Sequence, residues 1–238
     1  MPKPRNRRLT ATLSYLTLAT LDTYLAGRTG GVARAARHVT KPLLMPTLVA
    51  STELAAGADD GKPDLLVRTT QAAQVFSWGG DLALLGRGKP SFLTGVASFF
   101  VAHLCYIGVF GTMRGRGAKL TDPGPKAAAT TWLVAAPVVA YAAGREDPAL
   151  RGPVAAYAGV LTTMFATSTM MDRSIPTSAR RRIVAGTSLF LLSDTLLSVG
   201  KFFRKTPSPA LESAVMATYT VGQWLIAEGA VGAARAAD

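Results

Sequence analysis

The sequence predicts an all-α integral membrane protein, a bundle of eight transmembrane helices. Three observations carry this. Hydrophobic residues make up 49% of the 238 positions and charged residues 17%, below the usual ~25% charged of soluble domains. Mean hydropathy is +0.26. The apolar residues also come in long runs, without the period-2 alternation of a barrel, so the backbone groups of a spanning run must be satisfied within a helix.

The runs follow one another as Leu9–Leu25, Pro42–Ala58, Leu65–Leu85, Phe92–Met113, Lys126–Ala143, Pro153–Met171, Ile183–Gly200 and Leu211–Ala234. Each is close to the ~20 residues that cross a hydrocarbon layer. Leu9–Leu25 follows a basic tail (residues 1–8) as a secretory signal would. Asp22 interrupts it, and no small-x-small cleavage site follows, so it reads as a retained first helix. The breaks are rich in Gly, Pro and charge: Gly27–Thr40, Asp59–Asp64, Gly86–Pro90, Gly115–Pro125, Gly144–Gly152, Asp172–Arg182 and Lys201–Ala210. Such short connections make neighbouring helices antiparallel. The whole chain, 1–238, is expected to form a single helical membrane domain. The fifth and sixth runs are rich in Ala, Gly and Thr, which suits close helix packing.

The formal net charge is +12. The basic residues lie in short clusters between apolar runs, without interleaved aromatics, which points to lipid headgroups as partners and away from nucleic acid. Lys and Arg are in modest excess on the side of the N-terminus, where Lys3, Arg5, Arg7, Arg8, Lys62, Arg114, Arg116, Lys119, Lys126, Arg173, Arg180–Arg182 and Arg235 fall. The positive-inside rule then places both termini in the cytoplasm, with a plasma membrane of bacterial type as the expected location. Two histidines and the single Cys105 are too few for a three-histidine or thiolate metal site, and no metal or cofactor is expected. No phosphate-cradling loop or G-x-S-x-G elbow is present.

Ionisable groups at membrane depth are the informative ones, since each costs about 2.5–3.5 kcal/mol on insertion scales. Asp81 lies in the third run with Ser77 at i−4, and Asp194 lies in the seventh beside Ser193. The fourth run holds His103 and Tyr106 (i,i+3), and the eighth Tyr219 and Gln223 (i,i+4). With antiparallel neighbours, these groups converge in the half of the bundle away from the termini. Lys41-Pro42 approaches from that same side, as the start of the second helix. Asp22 and Asp172 read as interfacial.

These residues, in this order, resemble the lysoplasmalogenase (YhhN) family of multi-spanning membrane proteins. The resemblance rests on Lys41-Pro-Leu-Leu44, Phe76-Ser77 with Gly80-Asp81, Phe92 and Gly95 with His103 and Tyr106, Gly186 and Phe190 with Ser193-Asp194, and Tyr219 with Gln223. Thr220 departs from the family, where a second aromatic is common, and the fifth and sixth helices add no motif. The resemblance implies metal-independent hydrolysis of the vinyl-ether bond of lysoplasmalogen, a lysophospholipid, to a fatty aldehyde and glycerophospho-ethanolamine or -choline.

Protonating the vinyl β-carbon and stabilising an oxocarbenium ion requires one acid and one anion, as in glycosidases. Asp81 and Asp194 are the expected catalytic pair, with His103 and Tyr106 orienting a carboxylate or water. Ser77, Tyr106, Ser193, Tyr219 and Gln223 are expected on substrate, and Lys41 on its phosphate. The competing function is a proton-coupled carrier of a small or lipid-like solute, since paired intramembrane carboxylates also build proton relays. Phe76…Asp81-Leu-x-Leu-Leu echoes Phe190…Asp194-x-Leu-Leu one four-helix unit later, suggesting a parallel four-plus-four repeat.

Overall fold

A computed structural model describes residues 4–56, 64–206 and 208–236. Lys3, Lys62 and most of the Asp59–Asp64 connection lie outside the described residues. The described residues form eight α-helices and no strand: α1 (Pro4–Ala26), α2 (Gly31–Ala56), α3 (Leu65–Leu85), α4 (Gly88–Thr112), α5 (Pro123–Glu146), α6 (Arg151–Thr169), α7 (Thr177–Phe202) and α8 (Pro209–Ala234). A single 3-10 turn, Pro148–Leu150, joins α5 to α6. By length and composition, α4, α5 and α7 are apolar enough to cross a membrane.

Most helices run beyond the apolar segments expected of them. The largest difference is at α2, which begins at Gly31 and takes in most of the expected loop Gly27–Thr40. Charged side chains do not break helices, so the helix continues past the apolar stretch. Lys41 is therefore about 15 Å along α2 at ~1.5 Å per residue, not at its start. Pro42 and Pro46 both lie inside α2. Proline at 46 removes the N–H that would bond the Pro42 carbonyl. The Trp78 indole of α3 donates to that carbonyl at 2.9 Å, which keeps the interior proline tolerable.

Local chemistry sets several helix ends. The Asp64 carboxylate accepts from the Leu66 N–H at 2.6 Å, capping α3. Pro123 and Pro209 open α5 and α8, where a missing N–H has no helical partner to lose. Gly30, at φ +138°, turns the chain from α1 into α2. At the N-terminal side of the bundle, the α4–α5 and α6–α7 connections are tied by Gly115 N–H to the Met170 carbonyl (3.0 Å) and Asp172 N–H to that of Met113 (2.8 Å). Asp172 is an end residue, as expected.

The closest packing joins α7 to α8. A Cβ at Gly186 would stand 2.7 Å from the Gly222 carbonyl oxygen, and one at Gly222 would stand 2.9 Å from that of Gly186. One at Gly229 would meet the Ala179 carbonyl at 2.9 Å. Backbone meets backbone here, so neither side can yield by changing a rotamer. Gly222→Val is accordingly expected to abolish recovery of monodisperse protein, read by size-exclusion chromatography in detergent. Ala227→Gly on the same helix is the milder control.

Candidate active site

The cleft at the centre of the site takes residues from the C-terminal halves of α3 and α7, the N-terminal halves of α4, α6 and α8 and the middle of α5, with Lys41 from α2. The helices thus alternate in direction, and their shared level is the half of the bundle away from the termini. The walls are apolar, with Phe99, Trp132, Ala136, Leu161 and Leu197 among them. Asp81, Asp194, Tyr157, Tyr219, Lys41 and Ser193 are among its polar residues.

Asp81 sits one turn before the end of α3 and is 2% exposed. Tyr219 Oη donates to its Oδ2 at 2.7 Å, and Lys41 Nζ lies 3.3 Å from its Oδ1. Lys41, 8% exposed, is committed to this pair. The lysine reaches the carboxylate from inside α2, not from the start of a helix as expected. Two aromatic edges fix Tyr219: the ring lies 5.9 Å from Phe99 and 5.4 Å from Phe190, each nearly perpendicular.

Asp194 has different company. Tyr157 Oη donates to its Oδ2 at 2.5 Å, and among the described residues no cation pairs with it. The two aspartates share the cleft but are not hydrogen-bonded to each other; each has its own tyrosine. Tyr157 is the residue that sequence reasoning missed. The available signal was a phenol in the otherwise Ala-, Gly- and Thr-rich sixth run, where a buried hydroxyl needs a partner.

His103 does not touch either carboxylate. Its Nδ1 donates to the Phe99 carbonyl, one turn back on α4, and its Nε2 is buried with no partner among the described residues. The ring stands edge-to-face against Tyr157 (5.4 Å) and Phe190 (4.8 Å). Its place is behind Tyr157, edge-on to the phenol that holds Asp194.

Ser77, Tyr106 and Gln223 form a relay off the cleft. Tyr106 Oη donates to Gln223 Oε1 and Gln223 Nε2 donates to Ser77 Oγ, both at 3.0 Å. All three are fully buried, and the relay ties α3, α4 and α8 together. Ser193 lines the cleft, but its hydroxyl is spent on the Val215 carbonyl of α8 at 3.0 Å.

Asp22 lies one turn before the end of α1 and is fully buried against its neighbours. It accepts from Thr40 Oγ1 at 2.6 Å and lies 3.5 Å from Arg37 Nε, whose Nη1 is 3.5 Å from Glu212. Thr40 precedes Lys41, so a charge-balanced group (Arg37, Asp22, Lys41, Asp81) runs along α2. Among the described residues no three His, Cys, Asp or Glu are grouped as a metal would require.

A comparison with curated proteins and one with solved structures found no match. The sequence model of the YhhN family matches residues 36–230. That stretch reaches from α2 into α8 and holds both aspartates, both tyrosines and the lysine of the cleft. The chain belongs to the YhhN family.

Proposed function

We propose that the protein is a membrane-embedded ether-lipid hydrolase that cleaves the vinyl-ether bond of lysoplasmalogen, yielding a fatty aldehyde and glycerophospho-ethanolamine or -choline. The observation that supports this is the unlike company of two carboxyls on one apolar cleft: Asp81 carries a cation at 3.3 Å, and Asp194 only a phenol. A carboxylate with an ammonium beside it keeps its charge, whereas a carboxyl without a cation in an apolar wall is most stable neutral. Asp194 is then the acid and Asp81 the anion.

The chemistry follows from that division. The Asp194 proton goes to the vinyl β-carbon, the π pair forming the new C–H bond, and the ether oxygen stabilises the adjacent cation. The Asp81 carboxylate offsets this oxocarbenium charge in a low-dielectric site, where such an offset is strongest. Water adds to the cationic carbon and returns a proton to Asp194. Collapse of the hemiacetal passes its hydroxyl proton, through the carboxyls, to the departing glycerol oxygen. The lipid chain lies along the apolar walls from α5 and α7.

In this reading all eight helices span a bacterial-type plasma membrane, both termini are cytoplasmic, and the two halves form a parallel repeat. A feature of the site supports the repeat: in each half the preceding helix supplies the aspartate's partner, Lys41 of α2 for Asp81 and Tyr157 of α6 for Asp194.

The test is aldehyde release by purified protein in detergent from vinyl-ether, alkyl-ether and acyl lysolipids. Release from the vinyl ether alone is expected, because only that bond has a carbon to protonate. A proton-coupled carrier would release no aldehyde and would need a sealed vesicle to act. His103→Ala is expected to lower kcat by about tenfold without abolishing turnover, since it loosens Tyr157 and removes no reacting group. Complete loss in a folded variant would give His103 a direct role.

A further inference from the structure

At the mouth of the cleft, beyond the reacting level, one cation is placed as a substrate group would require. Lys201 lines the cleft on α7, with its Nζ 4.5 Å from the centre of the Phe92 ring. Phe92 is itself braced by Phe202, their centroids 6.0 Å apart and their planes at 83°. The ammonium is thus held over the opening. Among the described residues no carboxylate pairs with it. The neighbouring Lys89, one turn before Phe92 on α4, is already taken by Asp147 at 2.5 Å, and that hydrogen bond holds the Asp147 carboxyl below the usual range. Lys41, deeper in the cleft, is taken by Asp81.

The spacing carries the argument. Lys201 is seven residues after Asp194 on the same helix, which puts both on one face, about 10 Å apart along the axis at ~1.5 Å per residue. In a 1-alkenyl glycerophospholipid the phosphorus and the vinyl β-carbon are separated by a glycerol arm of about 8 Å when extended. A hydrogen-bonded contact adds about 3 Å. A lipid phosphate on Lys201 therefore brings the vinyl carbon toward the level of the Asp194 carboxyl.

We propose that Lys201 is the phosphate-binding group of the site, acting with Asp194 as a ruler for lysophospholipids whose reactive bond lies one glycerol away from the phosphate. This rests on the lysoplasmalogen reading for its substrate, and its test separates the two. Purified wild type, Lys201→Gln and Lys201→Arg are assayed on lysoplasmalogen and on 1-alkenylglycerol, which lacks the phosphate. Lys201→Gln is expected to lower kcat/KM for lysoplasmalogen at least about tenfold, to leave that for alkenylglycerol within about twofold, and to be largely rescued in Lys201→Arg. An equal effect on both substrates, or none on either, overturns the proposal.

A second arm needs no turnover: binding of the uncleavable 1-alkyl-glycerophosphocholine, followed by the fluorescence of Trp132 in the cleft wall. Weaker binding by Lys201→Gln supports the ruler even if wild type releases no aldehyde, an outcome that would sink the hydrolase reading alone. Unchanged binding overturns the ruler. Inorganic phosphate tests the source of the anion: fluorescence titration by phosphate alone, as tight as by the lipid, would make this a free-phosphate site and overturn the headgroup assignment.

Discussion

Asp194→Asn is expected to stop aldehyde release from lysoplasmalogen, with kcat/KM falling on the order of 10²–10⁴-fold, the range for removing a general acid. The variant should elute and melt as wild type does. Its carboxamide oxygen can still accept the hydrogen bond that Tyr157 gives at 2.5 Å, and a neutral group replaces a neutral group. What is lost is a proton acidic enough to reach carbon. Asp194→Glu keeps the proton but moves it by one methylene against a fixed phenol, so a partial rate, well above that of the amide, is expected. Wild-type turnover in folded Asp194→Asn would remove Asp194 from the chemistry.

The sequence placed Asp81, Asp194 and Tyr219 at one level, and it brought Lys41 only to the same side, as a helix start; the cleft takes all four. It could do so because charged groups in apolar runs are costly, and helical rise converts position into depth. It failed where the answer depends on which helix stands opposite which. Nothing along the chain distinguishes the tyrosine that meets Asp81 from the one that meets Gln223. The crossing of α3, α4 and α8 decides that. Tyr157 escapes a sequence reading because α6 reads as small-residue packing surface, and Lys41-Pro42 reads as a helix start because proline has no N–H for an intrahelical bond and suits a first turn. The partners of Asp22 are not legible because Arg37 and Thr40 read as loop; as helix, they face the carboxylate.

The pair at Asp81 gives the second large effect, on stability and activity together. Lys41→Met leaves a buried carboxylate without its cation, and Asp81→Asn leaves a buried ammonium without its anion. Either change is expected to destabilise by about 3–5 kcal/mol, the usual consequence of breaking a buried ion pair from one side. Lys41→Met/Asp81→Asn removes both charges at once and should recover most of that loss, in unfolding followed by circular dichroism in mixed micelles. Strictly additive losses would mean the two charges do not support each other. Activity should not recover with stability. The double variant folds around a neutral site, and no anion is left there to offset the oxocarbenium charge, so aldehyde release stays absent. The sign of that difference separates a charge kept for chemistry from one kept for packing: a double variant both stable and active would make the Lys41–Asp81 pair a structural tie between α2 and α3.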